Sequence, residues 1–322
     1  MFSLSQLEAA HGLVQTVVPP TPSRNWPLLS QRLGTDLIVK HENHAPTGAF
    51  KVRGGVTFMH WLKQAHPDKR GIVTATRGNH GQSQALAATA AGFEAHIYAP
   101  RGNSVEKNAA MRAFGAELHE HGDDFDEARV EADRAAREQG LYFVPSFHPE
   151  LVRGVATYGL ELFTDHPDLD VVYVPIGLGS GICGTIAARD ALGLKTEIVG
   201  VVAEAANAAK RSVEAGRIVE TNAARSFADG MAVRIPSQEA FAMYRTGASR
   251  IEEVSEDQIA AAMRTLFETT HNVAEGAGAA ALACAMAEKE QLSGRKVGII
   301  LSGGNVDTDV FATVLGGATP RV

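Results

Sequence analysis

Cysteine is nearly missing: Cys183 and Cys284 are the only two in 322 residues, and they lie far apart. That excludes a disulfide framework and a thiolate metal cage, and it fits a reducing compartment. Neither sign of charge dominates. The 37 acidic and 30 basic residues give a net charge of −7, spread along the chain. No basic patch is available for nucleic acid or for a membrane surface. Long apolar runs are missing too; none approaches the roughly 18 residues of a spanning helix. The opening MFSLSQLEAAHGLV lacks the basic start and apolar stretch of a secretory signal. The expectation is a cytoplasmic protein with a small-molecule partner, and neither nucleic acid nor membrane.

Glycine is plentiful, at 32 residues, and 45% of the chain is hydrophobic against 6% aromatic, the balance of an Ala/Gly-rich α/β enzyme. Short apolar strands alternate with amphipathic helices from Gly71 onward, the pattern of parallel sheets. Four strand candidates and three helices fall between Gly71 and Phe147. A small domain at 71–148, inserted into a larger one made of 1–70 and 149–322, is therefore expected. VVYVP (171–175) is the strongest buried-strand signal. RGNHGQ reads as a turn ahead of a helix beginning at Ser83, and periodicity fades from Arg217 to Arg250.

Three glycine-rich loops follow strand candidates: TRGNHGQ, GLGSG and SGGN. Ligands sit at the carboxyl ends of parallel strands, so the three loops should converge on an anion. GLGSG runs into a helix, whose free amides and positive end suit a phosphate. The competing dinucleotide fingerprint has Gly177 and Gly179, with Glu204 at the next strand end. It fails at Ile182, where a third glycine would allow close helix packing. Lys51, taken alone, reads as a solvated lysine. In a glycine-flanked loop that enters a helix, its amine can be desolvated into a Schiff-base nucleophile.

PTGAFKVRGG around Lys51 resembles the cofactor-lysine motif of fold-type II pyridoxal-phosphate enzymes, the threonine dehydratase and serine racemase family. GNHGQSQALA, GLGSG, DGMAVRIP, AEGAGAAALA and LSGGNVD match further blocks in family order, so the resemblance runs through nearly the whole chain. It implies an α/β fold like the tryptophan synthase β chain, with two open twisted sheets flanked by helices. It also implies a homodimer and pyridoxal 5′-phosphate as cofactor. Lys51 would carry the cofactor and then take the substrate's α-proton. Phe50 would pack on the ring, and Asn79 would bond its 3′-oxygen. Gly177, Leu178, Gly179, Ser180 and Gly181 would hold the phosphate, and Ser302 would face the ring nitrogen. Thr47, Gly78, Asn79 and His80 lie where the family holds the substrate carboxylate. A hydroxyl at Ser302 makes the ring a weaker electron sink than a carboxylate partner would, which favours β-elimination over transamination.

The implied activity is an ammonia-lyase converting L-threonine, L-serine or both to a 2-oxo acid and ammonia. Departures from the family keep alternatives open. Racemising relatives carry a serine where this chain has Arg77, which stays protonated and reprotonates carbon poorly; serine racemase is disfavoured accordingly. Arg77 could instead grip a second carboxylate, as in 3-hydroxyaspartate. Arg153 and Val155 replace alanine and glutamine, altering either packing or the pocket wall, so a phenylserine-like substrate also stays open. Glu204 lacks its acidic partner, Lys210 standing there, and no metal is expected. The histidines, among them His11, His41, His60 and His66, show no ligand spacing and are expected at the surface. About 15 residues follow LSGGNVD, and no C-terminal regulatory domain of the kind some relatives carry is expected.

Overall fold

Serine opens the first helix. In this computed structural model, which describes residues 2–222 and 224–321, Ser3 accepts from the Gln6 amide and the Gln6 side chain returns the bond, a capping box on α1 (Leu4–Val14). A short strand β1 (Ser23–Asn25) precedes α2 (Pro27–Leu33), which has proline in its first turn and ends on left-handed Gly34. Strand β2 (Asp36–His41) leads through the lysine loop into α3 (Lys51–Ala65).

Strand and helix then alternate: β3 (Gly71–Ala75), α4 (Asn79–Ala91), β4 (Glu94–Ala99), α5 (Val105–Ala113), β5 (Glu117–Glu120), α6 (Phe125–Gln139) and β6 (Tyr142–Phe143). The remainder is α7 (Pro149–Asp165), β7 (Val171–Pro175), α8 (Ser180–Ala191), β8 (Glu197–Ala203), α9 (Ala208–Ala215), α10 (Gln238–Gly247), β9 (Arg250–Val254), α11 (Glu256–Thr270), α12 (Gly276–Ala287), β10 (Lys296–Leu301) and α13 (Thr308–Leu315).

Two sheets result. The larger runs β1-β2-β10-β7-β8-β9, parallel except for β1; the smaller, β5-β4-β3-β6, is wholly parallel. Strand alternation sends Val39, Tyr173, Val201 and Ile299 to a core shared with α11 and α12. Ile38, Val172, Ile198 and Ile300 go to the opposite face, under α7 and α8. Beneath the small sheet, Ile72 and Ile97 pack with Val52, Val56, Phe58 and Leu62 of α3 and Leu151 of α7. Its core thus draws on chain outside residues 71–148.

The structure corrects three local expectations and decides a fourth point that the sequence left open. Helix α4 starts at Asn79, not Ser83, because extended Gly78 delivers the chain directly into the first turn. Within 217–250 a helix, α10, forms from residue 238, and β9 adds an edge strand beside β8. His41 is buried and accepts a hydrogen bond from the Trp26 indole at 2.9 Å, so it is no surface histidine. Val155 is buried against Gly184 of α8, so its departure from the family is a matter of packing. Lys210 spends its charge on Glu214, Glu252 and the Ile251 carbonyl. Among the described residues no helix is long and apolar enough to cross a membrane.

Candidate active site

A narrow cleft opens where the carboxyl ends of β7 and β10 meet the amino ends of α3, α4 and α12. Phe50, Lys51, Asn79, Ser302 and the five residues Gly177 to Gly181 line it. These are the nine positions that the sequence assigns to a cofactor.

Backbone ties hold the lysine loop to the glycine loop after β10. The Phe50 amide donates to the Ser302 carbonyl at 3.1 Å, Gly304 donates to the Gly48 carbonyl at 2.9 Å, and Ala49 bridges Gly303. Ser83 of α4 donates its hydroxyl to the Lys51 carbonyl at 2.7 Å, fixing the first turn of α3 from the other side. Burial pushes the Lys51 amine below its ordinary pKa, and the Glu275 carboxylate opposes that shift. The Lys51 Nζ lies 5.0 Å from the centre of the Phe50 ring, which itself stands edge-on to Tyr158.

The GLGSG loop is a cradle that side chains would fill. A Cβ on Gly177 would come within 2.1 Å of the Gly230 carbonyl, and Gly179 sits at φ +103°. Helix α8 starts at Ser180, so the amides of its first turn lack helical partners and face the cleft with the positive helix end. An amide cradle, a desolvated lysine and the apolar faces of Phe50 and Ala277 fit a flat aromatic aldehyde carrying a phosphate.

Glu275 also lines this cleft, and no feature of the sequence marks it beyond its place in AEGAGAAALA. Asn79 donates to its Oε1 at 2.8 Å while accepting from Asn305 at the same distance, so the Asn79 amide has one orientation. Desolvation raises the Glu275 pKa to about 7, against the pull of Lys107. Asn305 and Glu275 could have been suspected only from their neighbours in the motifs.

Of the positions assigned to the substrate's carboxylates, Asn79 lines the cleft, while Thr47, Gly78, His80 and Arg77 lie outside its lining. Thr47 is buried, its carbonyl taken by Asn305 at 2.8 Å. Gly78 donates its amide to the Thr76 hydroxyl at 3.1 Å. His80 buries an unpartnered Nε2, and desolvation with the nearby Lys51 lowers its pKa to about 3, so its ring is neutral. Arg77 is exposed, next to Gly78. Arg153 folds back on Glu150, 2.6 Å away on the same helix.

Comparison with known proteins gives the same chemistry. The family described as "Pyridoxal-phosphate dependent enzyme" matches residues 14–303. An L-threonine ammonia-lyase of Thermotoga maritima is 34% identical, the match covering 98% of this chain and 78% of that protein. An L-threo-3-hydroxyaspartate ammonia-lyase of Saccharomyces cerevisiae is 32% identical, covering 96% of this chain and 94% of its own. The processed form of threonine deaminase isoform 2 from Solanum lycopersicum superimposes with a TM-score of 0.90 at 29% identity, over 98% of this chain and 90% of that one.

Proposed function

The chain belongs to the pyridoxal-phosphate dependent enzymes, and from that premise we propose that it is an ammonia-lyase. It eliminates water from L-threonine, L-serine or both, and water then hydrolyses the resulting enamine to a 2-oxo acid and ammonia, so that ammonia alone is lost overall. The observation that carries this reading is the desolvated Lys51 amine at the floor of a cleft whose glycine cradle suits a phosphate.

Lys51 would hold the cofactor, the amides of residues 177–181 its phosphate, and Ser302 the ring nitrogen, with Phe50 against the ring. Bound there, pyridoxal phosphate supplies an electron sink for the bond being broken at the substrate's α-carbon. Lys51, with its pKa lowered, is basic in the neutral form and takes the α-proton at Nζ. Asn79, locked between Asn305 and Glu275, orients the groups around that proton transfer. The substrate carboxylate sits against the start of α4, at Gly78, Asn79 and His80, with Thr47 behind. Positive helix ends and a neutral imidazole stabilise an anion there without competing for the proton.

The same reading includes a small domain at 71–148 against 1–70 and 149–322, a homodimer, and a cytoplasmic location. The two free, buried cysteines support a reducing compartment.

One observation favours a second substrate class. The Arg77 guanidinium is exposed beside the α4 start and makes no ion pair among the described residues, so it is available to a second carboxylate, as in 3-hydroxyaspartate. The deciding measurement is 2-oxo acid release by the cofactor-loaded enzyme. The panel is L-threonine, L-serine, D-serine, threo-3-hydroxyaspartate and phenylserine, with Lys51→Ala as control. Release from threonine and serine, lost in the control, supports the main reading. Release from the dicarboxylate alone moves the substrate to the second, and no release from any of them overturns both.

A further inference from the structure

The outer edge of the small sheet holds a cluster that the cleft does not use. Strands β4 and β5 pair in parallel, His96 opposite Glu117 and Tyr98 opposite His119. Strand alternation therefore puts all four side chains on one face. Tyr98 is anchored in the core beneath α6, and its ring stacks on His119 at 4.6 Å between centres, which fixes the imidazole.

Three potential ligand atoms converge. His96 Nδ1 is 3.4 Å from His119 Nε2 and 3.4 Å from Glu117 Oε2, and His119 Nε2 is 3.4 Å from Glu117 Oε1. The two rings are nearly parallel and meet nitrogen to nitrogen. As a hydrogen bond that contact is long. As the edge of a coordination tetrahedron it is right: bonds of about 2.0–2.1 Å at tetrahedral angles set ligands about 3.3–3.4 Å apart. On the far side of His96, Nε2 faces the Glu94 carboxylate at 3.7 Å, which Arg70 also approaches at 3.7 Å. A carboxylate at that nitrogen keeps its proton there and frees the Nδ1 lone pair for the cluster.

We propose that His96, Glu117 and His119 form a transition-metal site, suited first to Zn²⁺, with three protein ligands and solvent in the remaining position. Two imidazoles and a carboxylate suit zinc, copper or nickel and do not suit the hard cations, which take oxygen cages. The groups around the site are Glu94 and Arg70 at the strand start and Glu131, Arg134 and Glu138 near Tyr98 on α6. Strand β5 has only β4 as a neighbour, so an ion held by both strands clamps the sheet's free edge. The twenty-odd residues between the histidines hide this site from any spacing rule; only the strand register assembles it.

The test is a Zn²⁺ titration of the tag-free, cofactor-loaded, chelator-treated full chain, by calorimetry and by competition with a chromophoric chelator. The wild type should take up one ion per chain, and its melting temperature should rise with zinc but not with Mg²⁺. His119→Gln should weaken binding about 100-fold, and Glu94→Gln, outside the first ligands, about 10-fold. His60→Gln, on the exposed side of α3, should leave it unchanged. Glu117→Gln supplies the same reading if His119→Gln fails to fold. No zinc uptake by the wild type, or wild-type affinity in both ligand variants, overturns the site.

Discussion

Burial keeps the Glu275 proton on until about pH 7, whereas an unperturbed glutamate releases it near 4.5. The folded, cofactor-free chain therefore binds this proton more tightly than the unfolded one. Its stabilisation is complete below pH 4.5 and disappears as pH rises through 7, a loss of about 3 kcal/mol. Urea midpoints of the cofactor-free enzyme at pH 5 and 8 should show that fall, and Glu275→Gln should flatten it. An unchanged slope in the variant would place the proton elsewhere. Arg77 supports a kinetic test at the same scale. If it grips a second carboxylate, Arg77→Gln lowers kcat/KM for 3-hydroxyaspartate about 30-fold, the loss of a charged hydrogen bond, and leaves threonine untouched. Equal effects on both substrates would make Arg77 a general contributor to the field at the α4 start.

The loop Gly177–Gly181 shows how an element's shape is set by a neighbouring backbone. Gly177→Ala must displace the Gly230 carbonyl, and cofactor affinity, followed by absorbance on titration, should fall at least about tenfold, or about 1.4 kcal/mol. Gly12→Ala on α1, where nothing lies within 4 Å, should instead stabilise the chain by about 0.5–1 kcal/mol in thermal melts. Elements of this kind were legible in the sequence because their signals are local. Gly92 and Gly140 close helices, Asp124 and Ser104 open them, and the apolar run 171–175 is buried on both faces. The nine cleft residues were legible through motifs. What escaped depends on partners distant in sequence: β9 is a strand because β8 offers an edge, and Glu275 matters because Asn79 and Lys51 arrive from other elements. His96 and His119 meet only through sheet register.

At the scale of the whole molecule, a buried ion cluster ties the lysine helix to the rest. Arg53, two residues past Lys51 and fully buried, contacts Glu42 at 2.8 Å and Glu161 at 2.7 Å, and Lys40 adds a second bond to Glu161 at 2.5 Å. Burial alone would raise the Glu161 pKa. Hydrogen bonds from His11 and Arg53, with the charge of Lys40, hold it well below the usual carboxylate range instead. That stabilisation is present above about pH 4.5 and lost on acidification, so acid unfolding should begin in this cluster. Arg53→Met strands two carboxylates and should cost about 3–5 kcal/mol in denaturant melts, with Arg53→Lys between it and the wild type. A near-neutral Arg53→Met would show that water reaches the site. Helix α12 carries a different consequence. Its residues Gly276 to Ala285 are all buried, walled by both sheet strands and α11, and a Cβ on Gly278 would come within 2.2 Å of the Gly303 carbonyl. A helix without a wet face cannot fray into solvent, so its amide protons should exchange with deuterium only when the entire chain opens. Those amides are a built-in clock for global unfolding, against which the faster exchange of α5, tied across the molecule by Ser104 to Asp307 and Lys107 to Asp229, would time the smaller motions that admit substrate.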